Sequence, residues 1–116
     1  MLRPEEISEI RDFILEKHTI KHMPEMEAAQ DEANAYFQRV GEVVNEAEHA
    51  YNIKFNQVME GLKNRDEETE SSKGAALKSL TADEKKFLED MRLLKAGVRN
   101  VRMTLAQAIK TRREER

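Results

Sequence analysis

The sequence predicts an all-α fold: a long antiparallel helical hairpin, coiled-coil-like, with a short N-terminal helix packed at its base. Three observations predict it. Apolar residues recur at 3- and 4-residue steps over two long stretches, the rows either side of Ser71-Ser72-Lys73-Gly74 match when read antiparallel, and the composition is that of a long-helix protein. Of 116 residues, 37% are charged and 5% aromatic. Leu, Ile, Val and Phe number 25, about 22% of the chain, just above the ~20% at which disorder becomes the default. Length fits a single domain. A thick core is excluded, so periodicity has to carry the fold.

The first helix is expected near residues 4 to 21. Pro4 suits a first helical turn, because its fixed φ is helical and its missing N–H would have no partner there. Behind it, Ile7, Ile10, Phe13, Ile14 and, at the far end, Ile20 form one apolar face. Pro24 then disfavours helical geometry at Met23 and pre-sets the next helix.

The second helix is expected from about 24 to 68, with Ala33, Phe37, Val40, Val44, Ala47, Tyr51, Phe55, Val58 and Leu62 toward the core. One extra four-residue step, Tyr51 to Phe55, relaxes the heptad locally. Gly41 and Gly61 lie inside this run, each at a cost of about 1 kcal/mol against Ala. A turn is expected over about 69 to 76 and a third helix over about 77 to 113. That helix begins after Gly74 or at Thr81, where Thr81-Ala82-Asp83-Glu84 reads as a capping box.

Phe87, Met91, Leu94, Val98, Val101, Leu105 and Ala108 alternate steps of 4 and 3, the heptad of a left-handed supercoil. Folding back about the Ser72–Lys73 bond pairs residues whose numbers sum to 145, such as Tyr51 with Leu94 and Val44 with Val101. A second row, Tyr36, Val43 and Ala50 with Met103, Ala106 and Ile109, offers the first helix a seat and makes a three-helix base with a thinner tip. At the tip the same register sets Leu77 against Glu68 and Leu80 against Arg65, while Leu88 and Leu93 fall off the seam. These four leucines are the expected surface for self-association or a protein partner.

The net charge of -3 conceals an asymmetry: residues 1 to 72 carry 8 basic and 17 acidic side chains, residues 73 to 116 carry 12 and 6. Arg92, Lys95, Arg99 and Arg102 form a basic stripe beside the third helix's core, extended by Lys110, Arg112, Arg113 and Arg116. Such a stripe can track phosphates of nucleic acid or a nucleotide. The 145 register instead predicts that it is partly absorbed by ion pairs, Arg99 beside Glu46 and Arg102 near Glu42 and Glu46. Without Trp and with two Tyr, the chain offers few stacking surfaces for bases.

Glu46 and His49 have the Glu-x-x-His spacing of bundle metal sites, but a di-metal centre needs two such motifs and further inward glutamates. His18 and His22 share a helix face at the spacing of a zinc pair, without the rest of a ligand set. Solvated helix-surface roles fit both pairs, and no metal or cofactor is expected. Catalytic signatures are missing: there is no Cys, no Gly-rich phosphate loop and no Gly-x-Ser-x-Gly elbow. Glu5, Glu6, Glu9 and Asp12 interrupt the N-terminal apolar residues, which argues against a signal peptide or membrane span and for a cytoplasmic protein.

The expectation is therefore a non-enzymatic interaction or assembly protein, an adaptor, scaffold or inhibitor that presents helical surface to a protein partner or to itself as a homo-oligomer. Met91, Met103, Met23, Met26 and Met59 give that surface some capacity to mould. A small nucleic-acid or nucleotide binder using the third helix's basic stripe is the alternative. Small phage and bacterial accessory proteins often have this form, an analogy of architecture only.

Overall fold

A computed structural model describes residues 2–17, 22–64 and 69–114. Four helices follow in order: α1 (Pro4–Lys17), α2 (Met23–Lys63), α3 (Glu70–Leu80) and α4 (Ala82–Glu114). The two long helices α2 and α4 form the main packing interface, and the molecule is a rod of 72 × 26 × 18 Å. The all-α hairpin stands. Residues 18–21 and 65–68, to which the first and second helices were expected to extend, lie outside the described residues.

Local chemistry sets the helix ends. Pro24 lies in the first turn of α2, behind His22 in extended geometry. Acidic side chains occupy first turns (Glu5, Glu6, Glu25, Glu70, Asp83, Glu84) and basic ones last turns (Lys63, Lys78, Arg112, Arg113), each complementing the helix dipole.

The segment expected to turn, residues 69 to 76, is instead mostly helical. Thr69 caps α3, its side-chain oxygen accepting from the Ser72 N–H at 3.1 Å, and no glycine among the described residues has positive φ. Gly74 is thus an ordinary helical residue, and the chain reverses between Lys63 and Glu70. The signal was a Thr followed by an acidic residue, a helix start that the Ser-Ser-Lys-Gly composition obscured.

The capping box at Thr81 does not form either. Its hydroxyl donates back to the Leu77 carbonyl at 2.7 Å, and its backbone, at φ -109 and ψ 7, closes α3 with the N–H bonded to the same oxygen. Lys85 N–H then bonds to the Thr81 carbonyl at 3.0 Å, so α4 resumes at once. Back-bonding of a Thr hydroxyl to the fourth preceding carbonyl is a known cause of bent helices. Thr81 is the one buried polar residue among those described, and this bond satisfies it.

Moving the turn slides the register. Arg92 with Glu48 and Arg113 with Glu27 join residues whose numbers sum to 140, Arg102 with Phe37 to 139, and Lys95 beside Gly41 to 136. Val44 packs in a cluster with Met91, Leu94 and Val98, whereas Val101 belongs to the one with Ala29 and Ala33. The expected sum of 145 is corrected downward by about one heptad. The reason is that rows repeating every seven residues match equally well after a seven-residue slip, so the turn decides, and the turn lies earlier.

The core divides along the rod. One cluster joins Leu2 and Ile10 to Val40, Val43, Val44, Ala47, Leu88, Met91, Leu94 and Val98. The other joins Phe13 to Met26, Ala29, Ala33, Val101, Leu105 and Ile109. Helix α1 runs back along the hairpin as expected, with Phe13 edge-on to Tyr36 at 5.1 Å and Glu6 3.8 Å from Arg39. Its Ile14 lies over Gly97, where a Cβ would stand 2.8 Å from Ile14 Cδ1. The seat on α4 is therefore the Gly97 side. Of the row expected there, Ile109 is buried, but Met103 is 57% exposed and Ala106 also faces solvent. Beyond Ala47 only Leu62 of α2 is buried, and α3 buries no residue, so the tip is thin.

Candidate functional site

The four expected tip leucines have different fates. Leu88 is 3% exposed, inside the core, and is corrected out of any docking surface: the shifted register turns it toward α2. Leu77 is half-buried and lines hollows with Met59 and Leu62 on one side and Phe55 on the other. Leu80 and Leu93 are 51% and 72% exposed. Leu93 does not stand alone on α4. Leu93, Ala96, Asn100 and Met103, at steps of 3, 4 and 3, make an uncharged exposed stripe on a helix otherwise densely charged. Heptad spacing alone reveals this stripe, but the row expected to seat the first helix claims Met103 for the interior.

Beside that stripe runs the basic row. Arg92 pairs with Glu48 at 3.5 Å. Lys95 and Arg102 lie against the Phe37 ring, 5.3 and 4.9 Å from its centroid. Arg99 makes no ion pair with any described residue and lines a groove of about 440 Å³ with Gln30, Asn34, Phe37, Arg102, Met103 and Ala106. The pairs expected for Arg99 and Arg102 with Glu42 and Glu46 are not formed. Glu42 instead lies 4.0 Å from Arg39, and Glu46 rims a separate hollow of about 390 Å³.

The α2 wall opposite the basic row explains this. Positions 27, 30, 34, 37, 41, 45 and 48 follow one edge of α2 at helical steps. Glu27 and Glu48 close its two ends by pairing with Arg113 and Arg92. Between them the edge carries Gln30, Asn34, Phe37, Gly41 and Asn45, with no carboxylate. Lys95, Arg99 and Arg102 therefore face amides, a ring and a glycine.

The separate hollow midway along α2 is lined by Val43, Ala47, Ala50 and Phe87 and rimmed by Glu46, Asp83 and Glu84. It continues the α2–α4 seam that α1 fills lower down, where Leu2 is 6% exposed.

Glu46, His49 and His22 are exposed, and His18 lies outside the described residues. Among the described residues no three of His, Asp or Glu gather as a metal site. No described helix is long and apolar enough to cross a membrane. Tyr36 has its hydroxyl pKa raised above the ordinary 10.0, first by burial and then by the carboxylates of Glu32 and Glu9. No family model, curated protein or solved structure matches the chain.

Proposed function

We propose that this protein is a non-enzymatic interaction and assembly protein, an adaptor, scaffold or inhibitor working in the cytoplasm, and that it self-associates through the outer face of α4. The observation that carries this reading is the uncharged stripe with Leu93 at 72% and Met103 at 57% exposure. Removing what remains exposed of these two side chains from water contributes about 1–2 kcal/mol each, and a rod 72 Å long gives a side-by-side partner room to do so. Sedimentation at tens of micromolar should give a multiple of 13.5 kDa. The double substitution Leu93→Lys, Met103→Lys should return a monomer with unchanged helicity. A wild-type monomer at that concentration sinks the self-association.

A second reading, an anion-binding protein that uses the basic row, is favoured by the lack of any carboxylate opposite Lys95, Arg99 and Arg102.

A further inference from the structure

Three cations without an ion pair among the described residues, Lys95, Arg99 and Arg102, span seven residue steps of α4, roughly 10 Å at 1.5 Å per residue. Their surroundings are specific. The Phe37 ring lies against Lys95 and Arg102, which limits the freedom each would lose on binding, while Arg99 faces the groove without an ion pair among the described residues. Gln30 and Asn34 add amide N–H donors on the opposite wall. Both ends are closed by ion pairs, Arg113 with Glu27 and Arg92 with Glu48.

We infer, building on the anion-binding reading, that this groove binds a flexible chain of phosphates, the backbone of single-stranded nucleic acid or an inorganic polyphosphate, without regard to base sequence. A furrow between two packed helices, whose axes stand only about 10 Å apart, does not admit a duplex into contact with both walls, so a single chain of phosphates fits it better. Phe37, against which two cations already lie, presents little free ring for a base to stack on, so recognition falls on the phosphates. An acidic protein segment fits less well, since protein partners anchor through buried apolar side chains, and of the groove's apolar lining Phe37 is already covered by two cations, leaving Met103 and Ala106. Arginine forks bind phosphate oxygens in pairs, and the amides complete the shell.

The test is fluorescence anisotropy with labelled oligo-dT and, separately, labelled inorganic polyphosphate, across a salt series. Three neutralised phosphates on a single strand give a slope of about -2 in log K against log salt, or roughly 20-fold weaker binding from 50 to 200 mM. Arg99→Gln should flatten this to about -1.4, a loss of roughly 7-fold over the same range. Asn34→Glu, which supplies the missing carboxylate without touching α4, should do likewise, and Gln30→Glu is the substitute if that variant does not fold. Asn34→Gln should bind as wild type does. Whichever of the two probes binds identifies the source of the phosphates. Failure of both probes overturns the inference, as does a poly-glutamate chain binding equally well, which would indicate an acidic protein partner. If Arg92→Gln flattens the slope as much as Arg99→Gln, the groove is refuted while the broader anion-binding reading survives.

Discussion

Replacing Gly74 by alanine tests the hairpin's true turning point. In this structure Gly74 lies in the middle of α3 with φ negative, and a Cβ built there meets nothing within 4 Å. The substitution therefore neither clashes nor gains packing, and only the backbone term remains. Alanine exceeds glycine in a helix by about 0.8–1.0 kcal/mol, largely by narrowing the unfolded ensemble. For a chain of this size that raises Tm by about 4 °C. Because α3 buries no residue, the same gain should slow amide exchange across residues 70–80 about fivefold, at 1.4 kcal/mol per tenfold. Thermal unfolding followed by circular dichroism at 222 nm reads the first quantity and exchange mass spectrometry the second. Had the chain turned at Ser71 to Gly74, with the glycine at positive φ, alanine would cost about 1–2 kcal/mol. A fall in Tm of several degrees would thus refute both the helix and the shifted register.

Gly97→Val should behave oppositely: the Cβ already falls 2.8 Å from Ile14 Cδ1, so Ile14 must leave its rotamer or α1 move outward, at a cost of about 1–3 kcal/mol, read by urea unfolding and relieved by adding Ile14→Ala. Thr69→Ala removes the acceptor for the Ser72 N–H and should cost about 1 kcal/mol, seen chiefly as faster exchange in α3 with little change in α4. Tyr36 has a folded pKa above its unfolded value, so the folded state favours its protonated form. That stability is fully present below pH 10 and is lost as pH rises through the higher folded value. Tyr36→Phe should therefore flatten the alkaline limb of a stability–pH curve; a limb left unchanged by that substitution refutes the assignment.

Much of the architecture was legible in the residues alone. Ala33, Val40, Val44, Ala47, Met91, Leu94, Val98, Val101 and Leu105 were placed in the core by spacing and are buried, because burial on a helix follows its 3.6-residue period whatever the partner. Pro24 and the apolar face of Ile7, Ile10, Phe13 and Ile14 likewise announced a helix that folds back. Periodicity says which edge of a helix is buried. It does not say which residue stands opposite.

Opposition was settled only by tertiary structure. A heptad pattern is unchanged by a slip of seven, so the apolar rows tolerate several alignments, and the reversal before Thr69 selects one of them. That single choice buries Leu88, sets Phe37 between Lys95 and Arg102, and moves Glu42 and Glu46 away from Arg99 and Arg102. The basic row was visible in the sequence. Whether carboxylates neutralise it depends on which edge of α2 it meets, a relation between residues some 60 positions apart that no local pattern encodes.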